Sequence, residues 1–281
     1  MIDLDAYFRR IAYTGARAPT LDALCAIVAG HTAAIPFENI DSLLGRAPLL
    51  APAALQAKLV DGKRGGYCYE QNALLRLALL ELGMHVCSLA GWVVWMAAPG
   101  APVRARSHML LKVALPASPD APLLVDVGFG GHLLGAPLRF VPGLVQRTPG
   151  GTERIVQDGE VFSLEAELPA GWTPVYRFTP ETYRPVDYEP LNWFTATHPG
   201  SIFRHNLRLE RLTPRLRASL LNDELTLRPV DGPARVRRLG SADDLARVLD
   251  EVFDLAPPVS AQALFERIPK GLDGAWLPPA S

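Results

Sequence analysis

The sequence predicts an α+β fold in three consecutive regions: helices from residue 1 to about 84, antiparallel β-structure from 85 to 190, and a mixed linker and α/β segment from 191 to 281. Three observations predict it. Apolar residues in the first region recur at helical spacing. In the second, short β-rich runs are broken by Pro and Gly, the pattern of an antiparallel sheet or small barrel. In the third, strand-like runs alternate with capped helical ones.

The elements follow in order. Residues 3–13 carry a helical apolar pattern, and Thr20 is a fitting N-cap for 21–28, with Asp22 in the first turn. Residues 51–60 make a third helix. A fourth starts at Cys68 and runs through an apolar stretch to Gly83, a C′ stop. Residues 86–95 read as a strand. Residues 107–115 and 123–127 read as two arms of a hairpin, with the Pro/Ser/Asp-rich 116–122 as its loop. Residues 174–178 read as a further strand. Beyond 191, strands are expected at 206–212, 225–228 and 234–239. Ser241 caps a helix running to Phe253, and Ser260 caps another.

The densest chemical signal is Arg-Gly-Gly-Tyr-Cys-Tyr-Glu-Gln at 64–71. Two glycines lead into a cysteine at a helix start. Unpaired N–H groups and the helix dipole there favour a thiolate, the nucleophilic form of the side chain. A thiolate needs a base, and the base needs an orienting group. His108 begins one hairpin arm and Asp126 ends the other, so folding the hairpin brings them near each other, about three positions from directly opposite. An Asp in so apolar a run is costly unless paired. Taken singly, Cys68 reads equally as a buried core cysteine, His108 as a satisfied core histidine and Asp126 as a turn residue. Taken together, in the order Cys–His–Asp, they read as a catalytic triad. The backbone N–H of Tyr69, beside the nucleophile, is a candidate oxyanion donor.

These residues also carry a family resemblance. Residues 64–72, 107–109 and 125–130, with 35–41 and 197–204, resemble the motif blocks of the arylamine N-acetyltransferases in their family order. One departure is Tyr69, where the common form of the first block has Phe. The resemblance implies a helical bundle, a central antiparallel β-barrel and a C-terminal α/β lid, around a core similar to papain-like and transglutaminase cysteine enzymes. It implies ping-pong acetyl transfer from acetyl-CoA, as co-substrate and without a metal, to an arylamine or arylhydrazine. It places the acceptor pocket near Phe37, Phe129 and Phe203, and CoA contacts near Trp95 and Gly130. Core packing is the competing reading for Phe37 and Phe203, and a plain turn for the glycines at 128–131. Arg64 is expected to tether the loop before Cys68, and Glu38 and Asn39 either to brace that loop or to cap a helix. His31, His85, His132, His198 and His205 read as surface or structural.

Other readings stay open. Cys68 and His108 lie 40 residues apart, far closer than the roughly 130-residue gap of papain-type proteases. A transglutaminase-like enzyme would reveal itself by joining amines to protein glutamines. An amide synthase working on a carrier-bound acyl chain would not use CoA. A binding module on a decayed scaffold sits poorly with all three triad residues present.

Composition fits such an enzyme. Apolar residues make up 49% of the chain, enough for a sizeable core, and the formal net charge of −1 makes no case for nucleic acid or an anionic membrane. The N-terminus has early acids and no signal-like apolar run, and no segment is long enough to span a bilayer. Three scattered cysteines form no disulfide framework, which predicts a reducing cytoplasm, and no His/Cys cluster has metal-ligand spacing.

Overall fold

The helices of the first third start where the sequence supplies caps. The computed structural model describes residues 2–98, 100–102 and 104–269. α1 (Leu4–Arg10) begins at Asp3, whose carboxylate accepts the Ala6 N–H. α2 (Leu21–Ala34) begins at Thr20, whose hydroxyl accepts the Ala23 N–H. α2 outruns the expected 21–28 because its buried face continues through His31 and Thr32. The two-residue strand β1 (Phe37–Glu38) then interrupts a region read as wholly helical. After α3 (Ile40–Leu43) and α4 (Pro52–Leu55), the chain continues as a π-helical turn, Gln56–Asp61. α5 (Cys68–Glu81) opens on the cysteine. It stops at Gly83, whose φ of +82° is the left-handed conformation that ends a helix.

The middle region is an antiparallel sheet of eight strands: β2 (His85–Val93), β3 (His108–Leu115), β4 (Ser118–Val125), β5 (Leu138–Arg139), β6 (Val145–Thr148), β7 (Gly151–Asp158), β8 (Val161–Leu168) and β9 (Gly171–Phe178). Their order is β5-β4-β3-β2-β9-β8-β7-β6. The two edge strands approach each other. The Gln146 carboxamide on β6 accepts the Arg139 N–H (2.8 Å) and donates to the Arg139 carbonyl (3.0 Å) on β5, so the sheet curls into a nearly closed, barrel-like shape. Alternation sorts the faces of β3. Leu110 joins the sheet's own core with Leu164 and Phe178. Met109, Leu111 and Val113 pack with α5 residues such as Leu75 and Leu79.

The hairpin loop expected at 116–122 is shorter than its composition suggests. Only Pro116 and Ala117 turn, and β4 already runs from Ser118. Residues 119–121 are exposed, so groups that Pro119 leaves unpaired face water, and a register shift between Val113 and Leu115 absorbs the irregularity.

The last region begins with a 3₁₀ turn, Pro185–Asp187, and α6 (Tyr188–Thr197), which straddles the boundary expected at 190. α7 (Ile202–His205) follows, then β10 (Arg208–Leu212), β11 (Leu216–Leu221), β12 (Glu224–Pro229) and β13 (Arg235–Arg238). α8 (Ala242–Arg247) continues as a second π-helical turn, Val248–Val252, before α9 (Ala261–Phe265). Ser241 and Ser260 cap α8 and α9 as expected. The five-stranded sheet has the order β1-β10-β11-β12-β13, with Phe37 opposite Glu210 and Glu38 opposite Leu209. Its edge is therefore supplied by the first region. Leu209, Leu220 and Leu225 from the sheet share a core with Leu245, Leu249 and Leu264, and with Ile40 and Leu43.

Candidate active site

Cys68 sits at the first position of α5 and is 4% exposed. Close backbone approaches fix both this helix start and the loop before it. A Cβ on Gly65 would lie 2.1 Å from the Pro36 carbonyl oxygen, and one on Gly128 would lie 2.7 Å from the Cys68 Cα. Both motif glycines are thus required by contact distance. The N–H groups of Glu70 and Gln71 bond to the Tyr67 carbonyl. The first-turn donors left over by the helix are those of Cys68 and Tyr69, as oxyanion binding would need. The Tyr69 ring lies apart from this chemistry, packed between Tyr67 and Tyr188.

The hairpin brings the other two residues in. Val125 pairs with Leu111, so Asp126 falls across from Leu110, two residues from His108 on the same face. The sequence reading placed the pair about three positions out. His108 Nε2 meets Asp126 Oδ2 at 2.6 Å. The other ring nitrogen, Nδ1, remains for the cysteine, whose Sγ is also 3.7 Å from the Ser107 carbonyl oxygen. Burial works against a charged imidazole, but the charge and hydrogen bond of Asp126, helped by Cys68, push His108 up to about 10. Burial would raise Asp126. His108, the Asn72 amide and the Gly128 N–H hold it below the usual carboxylate range instead. The pair is therefore an imidazolium and a carboxylate at neutral pH.

Asn72 is the functional residue that sequence reasoning missed. Its Nδ2 donates to Asp126 Oδ1 (3.0 Å) and to the Met109 carbonyl (2.8 Å), and its Oδ1 accepts the Val127 N–H (3.2 Å). The available signal was its spacing, four residues past Cys68, which puts both on one helix face. Gln71 is a second such residue. Its amide donates to the carbonyls of Pro36 (2.8 Å) and Gly66 (3.2 Å), and its oxygen meets His31 Nε2 at 2.6 Å.

The three expected acceptor-site phenylalanines divide between two groups. Phe129 stands edge-on to His108, ring centroids 5.1 Å apart, and against Trp95 at 6.4 Å. Phe37 and Phe203 pack together at 6.1 Å, with Phe203 also on Tyr67. Gly130 lies against the Phe37 ring, between the two groups. Trp95 and Gly130 line one cleft of about 440 Å³ between the two sheets, with His132, Arg208, Arg217 and Arg228. Burial lowers Arg208 to about 10, with Glu210 acting to raise it.

The remaining expectations concern scaffolding. Arg64 tethers the loop before Cys68 through Glu38 (2.6 Å) and Asp41 (3.1 Å). Glu38 both holds Arg64 and accepts the Ile40 N–H (2.6 Å), so bracing and capping coincide. Asn39 ties the first region to the last, donating to the carbonyls of Phe203 and Asn206 and accepting the Arg208 N–H. His31 is a core histidine held by Tyr7 and Gln71, and His132 pairs with Glu153 at 2.9 Å. His85 is exposed, His198 stacks on Phe194 and His205 meets the Pro199 carbonyl oxygen. Among the described residues no group of His, Cys, Asp and Glu is arranged to hold a metal.

A thiol beside a histidine–carboxylate pair, where a helix meets a barrel-like sheet, defines a class: proteins with the geometry of a Cys–His–Asp site. Comparison with known proteins narrows it. A family model described as N-acetyltransferase matches residues 20–260. The chain is 43% identical over 255 residues to an arylamine N-acetyltransferase of Mycolicibacterium smegmatis, covering 90% of each, and 39% identical over 253 residues to one of Escherichia coli K12, covering 90% and 88%. A solved structure of the M. smegmatis protein superposes with a TM-score of 0.91 at 39% identity, over 96% of this chain and 100% of that one. A Mycobacterium marinum arylamine N-acetyltransferase solved in complex with CoA gives 0.88 at 39% identity, over 95% and 99%. This chain belongs to the arylamine N-acetyltransferase family.

Proposed function

We propose that the protein is an arylamine N-acetyltransferase that moves an acetyl group from acetyl-CoA, through a Cys68 thioester, to an arylamine, arylhydrazine or similar amine. The observation that carries this reading is the His108–Asp126 pair at 2.6 Å beside a buried Cys68 at the head of α5. In the resting enzyme His108, as the imidazolium, already carries at Nδ1 the proton taken from the Cys68 thiol. The thiolate attacks the acetyl carbonyl carbon, and the N–H groups of Cys68 and Tyr69 receive the charge on its oxygen. The donor's C–S bond breaks, and CoA leaves with the proton returned by His108. One thioester replaces another, at little change in free energy. The amine then attacks acetyl-Cys68, His108 takes its proton, and the Cys68 thiolate departs. Asp126 holds the ring by Nε2 throughout.

The cleft lined by Trp95 and Gly130 is the place proposed for the donor, where Arg208, Arg217 and Arg228 would meet its phosphates beside Glu167, Glu210 and Glu224. The Phe129 ring edge-on to His108 supports an aromatic acceptor bound there, with Phe37 and Phe203 across Gly130. In this reading residues 1–84 supply the nucleophile, 85–190 supply base and orienter, and 191–281, of which 270–281 lie outside the described residues, supply a linker and α/β lid over the cleft. Three free cysteines suit the reducing cytoplasm. Among the described residues no helix is long and apolar enough to cross a membrane.

The test is intact-protein mass after brief exposure to acetyl-CoA without amine, beside a Cys68→Ala variant. One acetyl group should appear only with Cys68 present and disappear when an aminobenzoate is added. A folded protein that takes up no acetyl group would refute the reading and turn the search to carrier-bound acyl donors.

A further inference from the structure

Behind the nucleophile lies a buried charged cluster that none of the transfer steps uses. Lys58, on the π-helical turn after α4, places Nζ 2.6 Å from Glu70 Oε1, 2.6 Å from Asp41 Oδ2 and 3.9 Å from Glu38 Oε1. Arg64 closes the other side, 2.6 Å from Glu38 Oε1 and 3.1 Å from Asp41 Oδ2. The Glu38 and Glu70 side chains are 0% and 1% exposed and that of Lys58 18%. Carboxylates from β1, α3 and α5 thus share two cations. Glu70 links the cluster to the site: its Oε2 accepts the N–H of Tyr67 at 3.1 Å, and Tyr67 immediately precedes Cys68.

We propose that Lys58 is a positioning residue for the nucleophile: it holds the Glu70 carboxylate, which holds the backbone at the start of α5 and so aims Cys68 at His108. The inference deepens the acetyltransferase reading and rests on it only for the nature of the reaction. A buried carboxylate without its counter-ion takes up a proton rather than remain charged, and a neutral acid is a weaker acceptor for a backbone N–H. Arg64 does not replace Lys58, since both its contacts are to Glu38 and Asp41. Even beside Lys58 the Glu70 carboxyl is pushed up to about 7, because burial and Glu38 outweigh the attraction of Lys58 and the hydrogen bond from Tyr67. The charged groups facing Glu70 are Lys58, Glu38, Asp41 and Arg64 from other elements, with Tyr67 and Cys68 beside it. Removing Lys58 moves the Glu70 titration upward, and the carboxyl at the start of α5, poised near 7 beside Lys58, becomes neutral at neutral pH.

The experiment compares wild type with Lys58→Met, Lys58→Arg and Glu70→Gln. It follows Cys68 alkylation by iodoacetamide across pH, and single-turnover acetylation across acetyl-CoA concentration. Lys58→Met should lower the acetylation rate constant about tenfold or more at unchanged half-saturating acetyl-CoA, because misaiming costs rate rather than donor binding. Its alkylation profile should show the near-neutral inflection displaced to higher pH. Lys58→Arg should restore most of both. Wild-type rates and profile in Lys58→Met, or equal losses in the Met and Arg variants, would overturn the proposal. If Lys58→Met does not fold, Glu70→Gln decides. It keeps an acceptor oxygen for the Tyr67 N–H but cannot titrate, so the near-neutral inflection must vanish, and its persistence overturns the proposal. Alkylation needs no acetyl donor. A wild-type protein that alkylates yet takes no acetyl group would defeat the acetyltransferase reading and leave Lys58 tested by alkylation alone.

Discussion

Asp126 gathers a set of donors that only a carboxylate satisfies. The Asn72 amide and the Gly128 N–H both reach Oδ1, and Oδ2 is left for His108 Nε2. In Asp126→Asn the new carbonyl oxygen would take the Oδ1 place and the NH₂ would face His108. The imidazole must then accept at Nε2 and carry its proton on Nδ1, toward the thiol, where it cannot act as a base. Acetylation of Cys68 should fall on the order of 10³-fold or more. With burial no longer opposed by a charge, the His108 titration should also move from about 10 down toward or below its ordinary 6.5. Single-turnover mass spectrometry and imidazole NMR would read the two effects. An Asn variant with near wild-type acylation would remove Asp126 from the triad. The three polar residues were legible as residues. That Asn72 steers the carboxylate was not, because its partners come from β3 and from the turn after β4.

At the scale of elements, α5 and α2 carry opposing proton linkages. His31 on α2 is lowered to about 4, burial outweighing its hydrogen bond to Gln71. Between that value and the ordinary 6.5 only the unfolded chain binds the proton, so this group's stabilisation is lost as pH falls. Glu70 on α5 is raised to about 7 from 4.5, and in that window only the folded chain holds the proton, so stability rises as pH falls. From pH 4.5 to 6.5 the two nearly cancel. Glu70→Gln removes one of them. Its unfolding free energy should decline by about 3 kcal/mol more than that of wild type between pH 6.5 and 4.5, at roughly 1.4 kcal/mol per pH unit. Urea unfolding over a pH series would measure this. Parallel curves for variant and wild type would mean that Glu70 keeps an ordinary pKa in the fold.

Across the whole molecule, the two sheets are joined by Arg217 of β11. Its guanidinium pairs with Glu210 at 2.6 Å and donates to the carbonyls of Gly131 (3.2 Å) and Gly150 (3.1 Å) in loops of the barrel-like sheet. It thereby holds the turn that carries Phe129 and Gly130. Arg217→Met would remove the cation paired at 2.6 Å with Glu210, a side chain 3% exposed, and leave it only the attraction of Arg208 and Arg228. The expected loss of stability is about 3 kcal/mol. Amide exchange near residues 131–134 and 150 should quicken more than in α2. Unchanged exchange at those loops would show that the sheets are held together elsewhere.

The sequence by itself determined whatever is decided within a few residues. The caps at Thr20, Ser241 and Ser260, the start of α5 at Cys68 and its stop at Gly83 were all readable. Each rests on a hydrogen bond or torsion between near neighbours. The arms bearing His108 and Asp126 were readable from alternation, although the loop between them was drawn too long. Only the tertiary structure decided that β1 pairs with β10 across the length of the chain, that α6 crosses the expected boundary at 190, and that Asn72, Lys58 and Arg217 find their particular partners. A buried polar side chain must be satisfied, and its own sequence neighbourhood states that requirement. Which distant group satisfies it depends on how the helices and the two sheets close over one another, and that is set by packing of the whole chain.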